Sequence, residues 1–326
     1  MKAFVFNKKI PMTFVLSILL IVSGVGCVGG MEQLPFSNTG TFSALLVPDT
    51  NLEFYVYAKQ ERPTIVPAAI INLSHDVKVD SIAIWGLPSD KALVFGADLT
   101  FTTAQDASYI YALIETEKDI WKLLRDNKIY VVRGVGKSAE TLKSSISTNN
   151  FKRYSNENVL ESVAMLPRGD RTKIIALAVA KPTDQVLDFV SAYIGPRDFE
   201  QVKTLLRILN PEVIMGGLYS PHQINVAKAI NIFEKGGNPA SLDAGLLMSI
   251  RSGFPGFITS TLASNILRDY DFVESRLADF VVYKGFWSSP GDVMIPVLVR
   301  IENNYIFVSV SAQEEYAKVL LTSIYK

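Results

Sequence analysis

Met294-Ile-Pro-Val-Leu-Val-Arg-Ile301 is followed, after Glu302-Asn303-Asn304, by Tyr305-Ile-Phe-Val-Ser-Val310. Both runs consist mainly of branched and aromatic residues, and the short Asn-containing connection between them is typical of a β-hairpin. Further strand-like runs occur at 81–85 and 280–282, and helical patterns separate the clusters of strands. The sequence therefore predicts an α+β fold with mostly antiparallel sheets flanked by helices, rather than a strictly alternating parallel arrangement.

A repeated pattern predicts that the fold consists of two related halves. Leu45-Leu-Val-Pro48-Asp-Thr precedes a strand-like run at 52–58, and Ala164-Met-Leu-Pro167-Arg-Gly precedes another at 173–180. We expect the strand after Pro48 to occupy the same place in its half as the strand after Pro167. Near the ends of the halves, 129–132 should match 305–308 in the same way, because each is followed by a helical pattern.

The predicted halves divide the folded part of the chain after residue 150. The first half, 42–150, is predicted to contain strands at 81–85, 92–95 and 109–114. An amphipathic helix is predicted at 117–124 from the spacing of Ile120, Leu123 and Leu124. The second half, 151–326, is predicted to be enlarged by extra helices, at 183–193, 199–209, 221–233 and 255–269.

The N-terminal residues 1–26 have the three-part order of an export signal. Lys2, Lys8 and Lys9 give a positive start, an apolar run covers 14–22, and Ser23-Gly-Val-Gly-Cys27 ends the segment. The apolar run is shorter than the roughly 20 residues that a membrane span requires. This order resembles a prokaryotic lipoprotein signal. The resemblance implies cleavage before Cys27 and attachment of diacylglycerol and a fatty acid such as palmitate at that residue.

The export signal predicts where the protein is located. Acyl chains on Cys27 would hold it on the outer face of the cytoplasmic membrane, or on an outer membrane, through the lipid alone. Residues 27–41, rich in small and turn-forming side chains, are predicted to form a flexible tether. The alternatives are an uncleaved N-terminal membrane anchor with an incidental cysteine and ordinary cleaved secretion.

A second resemblance starts from Val47-Pro48-Asp49-Thr50. This turn before a strand, together with the repeated unit, looks like a poorly characterised group of prokaryotic anchored extracytoplasmic proteins. The resemblance implies a repeated α+β unit and an extracytoplasmic location. It implies no activity.

Composition and charge exclude several classes of protein. The chain has 32 basic and 32 acidic side chains, whereas a nucleic-acid-binding protein normally carries a basic surface, so no nucleic-acid partner is expected. One cysteine cannot form an internal disulfide or a cysteine-based zinc site, and the two histidines are far apart in sequence. We therefore predict no metal, no cofactor and no evident catalytic residue, although whether the protein is an enzyme stays open.

Gly134-Val-Gly136-Lys137-Ser138 partly matches a phosphate-binding loop. Such a loop needs a glycine five residues before the second glycine, so that successive backbone amides surround a phosphate. Val131 occupies that position, inside a predicted strand. We therefore predict that Gly136 is a turn residue and that Ser138 is the N-cap of the following helix.

Three other residues are candidates for a binding surface. Phe286 and Trp287 stand beside the loop Ser288-Ser-Pro290-Gly291, and paired aromatic residues are enriched in recognition surfaces. His222 follows Ser220-Pro221, at a predicted helix start.

Three hypotheses for the function follow. The first is a lipid-anchored protein without catalytic activity that binds a partner or contributes to envelope structure. The second is a solute-binding lipoprotein with a small-molecule ligand between its two lobes. The third is an extracytoplasmic hydrolase whose site is assembled from distant positions.

Overall fold

The structure is a computed structural model that describes residues 46–66, 76–90, 93–114, 117–153, 161–162, 165–167, 174–186, 206–221, 244–288 and 294–324. The first-half elements are β1 Leu46–Pro48, β2 Phe54–Val66, β3 Val77–Leu87, β4 Val94–Phe101, α1 Ala104–Leu113, β5 Ile120–Arg125, β6 Lys128–Arg133 and α2 Lys137–Ser147, and β7 Phe151–Arg153 follows at the boundary between the halves. The second-half elements are β8 Ile174–Ala180, β9 Pro211–Tyr219, β10 Gly245–Ser252, α3 Gly256–Asp269, β11 Val273–Leu277, β12 Phe280–Ser288, β13 Met294–Glu302, β14 Tyr305–Val310 and α4 Glu314–Thr322.

One antiparallel sheet dominates the fold. Among the described strands it contains twelve, in the order β11-β12-β13-β14-β10-β9-β8-β2-β3-β4-β6-β5. The two remaining strands, β1 and β7, form a separate antiparallel pair. The chain is therefore α+β with an antiparallel sheet flanked by helices, as the hairpin pattern predicts. The two halves share this single sheet, because β2 and β8 pair at its centre.

The order of the strands is the same in the two halves. In each half, three strands form a meander (β2-β3-β4 and β8-β9-β10), and a helix follows. The last strand that the half contributes to this sheet (β6 or β14) then pairs with the third strand of the meander. The strand after Pro48 and the strand after Pro167 are thus both the first strand of a meander. Likewise β6 matches β14, and each is followed by a helix, α2 or α4. These correspondences confirm the positions expected from the repeat.

The second half is larger in its described part because β11 and β12 have no counterpart in the first half. Helix α3 confirms the prediction at 255–269. Of the other predicted helices, 184–186 and 206–209 are helical. The rest of 183–193 and 199–209, and nearly all of 221–233, lie outside the described residues.

Helices cover both faces of the sheet. Side chains of α2 and α4, such as Leu142 and Leu320, pack with Trp85 and Phe307 in one core cluster. We call this side the front face. On the opposite face, α1 packs on the first half and α3 on the second, each with its own apolar cluster. The two-layer burial explains why the central strands carry apolar residues on both sides.

Two predicted elements of the first half are wrong. Residues 109–113 lie in α1 rather than in a strand, and Ile114 is the C-cap of that helix. Thr103 caps the start of the helix by accepting a hydrogen bond from the Asp106 N–H. The predicted helix at 117–124 contains a turn and most of strand β5. Ile120, Leu123 and Leu124 fit helical spacing, but residues 120–125 pair with β6 along their whole length. Strand pairing thus overrides the local pattern.

Ser138 is not the N-cap of α2. Gly136 holds that position with a φ of 94°, in the region that glycine adopts most readily, and no side chain caps the helix. The Ser138 hydroxyl instead donates a hydrogen bond to the Pro88 carbonyl. A glycine at the cap lets the chain turn sharply from β6 into the helix.

Candidate functional site

A pocket of about 420 Å³ opens on the front face of the first half. Its floor is a cross-strand row on four neighbouring strands, Tyr57, Ala83, Asp98 and Tyr130, which we call the pocket row. The strand registers pair Tyr57 with Ala83, Ala83 with Asp98, and Asp98 with Tyr130. Side chains opposite one another in a sheet point to the same face, so pairing alone brings these four residues together.

The turn between β5 and β6 forms one wall of the pocket. Arg125 and Lys128 pair on either side of the two-residue connection Asp126-Asn127, and Asp126 has a φ of 54°. Positive φ at this position is typical of the tight turns that join antiparallel strands. Arg125 donates hydrogen bonds to the Asn149 side chain at 3.0 Å and to the Ser147 carbonyl at 3.2 Å. It therefore ties the turn to the C-terminal end of α2.

Phe151 forms another part of the pocket lining and connects the pocket to strand β1. Its ring centre lies 6.3 Å from that of Trp85 and 6.2 Å from that of Tyr130. Phe151 starts β7 and pairs with Pro48 of β1. Asp49 forms an ion pair of 2.8 Å with Lys152. The Pro48-Asp49 turn, which the sequence singled out, thus holds the strand that carries this part of the lining.

Asp98 and Lys128 form an ion pair inside the pocket. Asp98 Oδ2 lies 3.2 Å from Lys128 Nζ, and Asp98 Oδ1 accepts a hydrogen bond of 3.1 Å from the Thr100 hydroxyl. The side chain of Asp98 is 14% exposed and that of Lys128 is 41% exposed. Burial raises the pKa of Asp98 above its ordinary value, against the opposing effect of the Lys128 ammonium. The carboxylate is therefore held in a place that disfavours its charge.

The two tyrosines of the pocket row keep their hydroxyl protons. Burial, with the Asp80 carboxylate as the next cause, raises the pKa of Tyr57 to about 12. Burial and the Asp98 carboxylate raise the pKa of Tyr130 to about 12. At neutral pH both hydroxyls can therefore donate and accept hydrogen bonds.

The second half has a row of residues that corresponds to the pocket row, and this row is buried. The turn between β13 and β14 corresponds to the β5–β6 turn, since each is a two-residue connection before the half's last strand. The third residue after that connection is Tyr130 in the first half and Phe307 in the second. From Phe307 the registers lead to Ser249, Met215 and Val179. We call Val179, Met215, Ser249 and Phe307 the closed row.

The closed row is packed, whereas the pocket row is open. All four residues of the closed row are buried, with exposed fractions between 0% and 3%. In the pocket row Tyr57 and Asp98 remain partly exposed. Ala83 occupies the place of Met215, and Asp98 that of Ser249. Only Ala83 is smaller than its counterpart, and residues outside the row, such as Arg125 and Phe151, also line the pocket. The shared strand order therefore does not by itself produce a pocket.

The structure places Phe286, one of the sequence-predicted binding residues, apart from the pocket. Phe286 is 53% exposed on β12 and pairs with Pro296, and Lys284 Nζ lies 5.5 Å from its ring centre. The backbone of Trp287 belongs to the same strand. Cys27 and His222 lie outside the described residues. The Phe286 surface stays a prediction.

The motifs of the sequence do not predict the pocket, although a signal for part of it exists in strand β4. In Val94-Phe-Gly-Ala-Asp-Leu-Thr-Phe101, the positions 96, 98 and 100 are Gly, Asp and Thr, and they alternate with apolar residues. Such alternation marks one face of the strand as polar. It could have predicted Asp98 as a polar residue on one face, but not which residues surround it.

The described residues contain neither a metal-binding cluster nor a membrane-spanning helix. No group of three or more His, Cys, Asp or Glu side chains there could hold a metal ion. No helix in that part of the chain is both long and apolar enough to cross a membrane.

Comparison with known proteins assigns no family and no function to this chain. No family model and no curated protein matches this chain. Crystal form I of TP0453 is similar with a TM-score of 0.35 and 11% sequence identity, covering 87% of this chain and 100% of that chain. Crystal form III of TP0453 gives a TM-score of 0.35 and 10% identity, with coverages of 85% and 96%. Similarity at this level transfers no function.

Proposed function

We propose that this protein is a lipid-anchored extracytoplasmic binding protein, and that the pocket of its first half holds a small molecule. The observation that supports this is the contrast between the pocket row and the closed row. The corresponding row is buried in the second half, where Met215 stands at the position of Ala83, and the first half is open over Asp98. Of the three hypotheses from the sequence, solute binding agrees best with such a pocket, with the ligand inside one half rather than between the two.

The size and lining of the pocket support a small-molecule ligand. A volume of about 420 Å³ lies within the range of roughly 300–1,000 Å³ typical of ligand sites. Aromatic side chains line much of it, and a few polar groups converge on its floor, as such sites require. Asp98 is kept there although burial disfavours its charge, and groups in such places are frequently functional.

Closing the pocket with second-half residues tests the binding function. In the variant Ala83→Met, the first half receives the residue found at the corresponding position of the closed row. A library of small polar metabolites is screened by thermal shift against the wild-type chain and this variant. We expect compounds that raise the melting temperature of the wild type but not of the variant. The proposal is wrong if no compound acts, or if every active compound acts equally on both.

The anchor is proposed on the resemblance of residues 1–27 to a lipoprotein signal. The variant Cys27→Ser should leave the detergent-soluble membrane fraction and accumulate as exported protein or as uncleaved precursor. Mass spectrometry of the wild-type N-terminus should find acyl chains on Cys27. An unchanged membrane fraction together with an unmodified Cys27 would instead favour the uncleaved anchor.

A further inference from the structure

We propose that the ligand of the first-half pocket is a neutral polyhydroxylated molecule of the size of one or two sugar rings. This inference rests on the proposed binding function, and it goes further by naming the chemical class. Three features of the described pocket residues carry it. They are the charge balance of the lining, the arrangement of donors and acceptors on the floor, and the aromatic side chains around them.

The charged groups of the lining balance. Arg125 and Lys128 face the pocket with positive charge, and Asp98 and Asp126 with negative charge. Arg125 already directs its N–H groups at Asn149 and at carbonyls of α2. A ligand with a net charge would leave one of these signs unmatched, and a desolvated unmatched charge opposes binding. The balance therefore favours a neutral ligand.

The floor of the pocket presents strong acceptors beside strong donors. Asp98 accepts from Thr100 and Lys128, which leaves lone-pair sites on its carboxylate, and the ammonium of Lys128 has three N–H groups. These groups lie 3.2 Å apart. A hydroxyl group can donate to the carboxylate and accept from the ammonium at once. Tyr57 and Tyr130 add hydroxyls that both donate and accept, so a ligand with several hydroxyls finds complementary partners.

Aromatic rings make up the apolar part of the lining. Tyr55, Trp85 and Phe151 line the pocket together with the two tyrosines of the pocket row. Aromatic residues offer a broad apolar surface, and tyrosine adds a polar tip. A sugar ring has the matching character, with C–H groups on its faces and hydroxyls around its edge. A fully ionic ligand such as phosphate would gain nothing from these rings.

The inference is tested by calorimetry on the full-length protein in detergent. The probes are D-glucose, D-galactose, D-mannose and N-acetyl-D-glucosamine, with glycine, L-glutamate and inorganic phosphate as the charged comparison set. The variants are Asp98→Ser, which introduces the closed-row residue, and Lys128→Met. Lys143→Met is the matched control, because Lys143 also forms an ion pair, with Glu140 on α2, but does not line the pocket.

We expect at least one sugar to bind the wild type. Asp98→Ser and Lys128→Met should each weaken that binding about tenfold or more, as loss of a charged hydrogen-bond partner does. Lys143→Met should leave the affinity unchanged. Circular dichroism checks that each variant is folded, and Asp98→Asn replaces Asp98→Ser if the serine variant is not.

Several results would overturn the inference. Binding of amino acids or phosphate without any sugar would show that the pocket takes charged ligands, and the proposed binding function would survive. Sugar binding that both pocket variants leave intact would place the sugar elsewhere. If no sugar binds while the metabolite screen still finds compounds blocked by Ala83→Met, only the ligand class is wrong. If that screen is also negative, the binding function fails with it.

Discussion

Replacing Arg300 should destabilise the protein far more than replacing Arg125, although each arginine connects a strand to a helix. Each comes from the strand next to its half's last strand, and each donates to carbonyls near the end of the half's last helix. Arg300 is 2% exposed and donates to the Leu321 carbonyl at 3.0 Å. It also forms an ion pair with Glu302, and its Cζ atom lies 3.6 Å from the centre of the Phe280 ring. Arg125 is only half-buried.

The expected magnitude follows from these contacts. Removing one partner of a buried ion pair destabilises a protein by about 3–5 kcal/mol. Glu302 keeps a side-chain exposure of 26%, so water can solvate it and the lower end of that range applies. The variant Arg300→Met keeps most of the apolar contact with Phe280, and we expect its free energy of unfolding to be about 3 kcal/mol lower than that of the wild type. Arg125→Met removes hydrogen bonds that are partly solvated, so its free energy of unfolding should fall by about 1 kcal/mol.

Urea unfolding measures this difference. Tryptophan fluorescence and circular dichroism are followed together on the full-length chain, so that separate unfolding of the halves would be noticed. We expect the free energy of unfolding to fall about 2 kcal/mol further for Arg300→Met than for Arg125→Met. Equal losses, or a loss below about 1 kcal/mol for Arg300→Met, would refute the claim that a buried arginine holds α4 on the sheet.

Three further predictions concern the first half and its sheet. Burial raises the pKa of Asp98 above its ordinary value of 3.8, so the protonated form of Asp98 stabilises the folded state and this stabilisation is lost as the pH rises. Asp98→Asn should therefore raise the melting temperature at pH 7. The gain in melting temperature should vanish below pH 3.8. Gly96→Ala would put a Cβ 2.7 Å from Leu142 Cδ2 and should cost about 1–3 kcal/mol. Gly216→Ala is the control in thermal unfolding, since its nearest neighbour atom is 3.8 Å away; equal melting temperatures would contradict the packing argument. Ser138→Ala should lose about 1 kcal/mol with its bond to the Pro88 carbonyl. Lys137→Ala should lower the free energy of unfolding in urea by less than Ser138→Ala does. A larger loss for Lys137→Ala would contradict this prediction.

Turn residues and alternation allowed much of the fold to be predicted. The hairpin at 294–310 is present as β13 and β14, joined at Asn303, whose φ of 54° suits an asparagine. The corresponding positions of the strands after Pro48 and Pro167 were also predictable. Both depend on patterns within a few residues, and identical local patterns favour the same local structure in each half.

The segment 104–125 shows where local patterns were insufficient. The apolar spacing of residues 109–114 and 117–124 fits either a helix or a strand. What decides between them is the cap at Thr103 and the pairing of β5 with β6. The cap could have been found in the sequence, but the pairing depends on the position of β6, which lies between β4 and β5 in the sheet.

The sequence by itself determined the fold class and the two related halves, and the alternation in strand β4 carries an unused signal for a polar face. Only the tertiary structure decided that Asp98, Tyr57 and Tyr130 line one pocket, and that the corresponding row in the second half is closed. These residues are far apart along the chain and become neighbours through strand register alone. A shift of one residue in any of those registers would turn the side chains to the other face, and register is fixed by the whole packed sheet rather than by a local pattern.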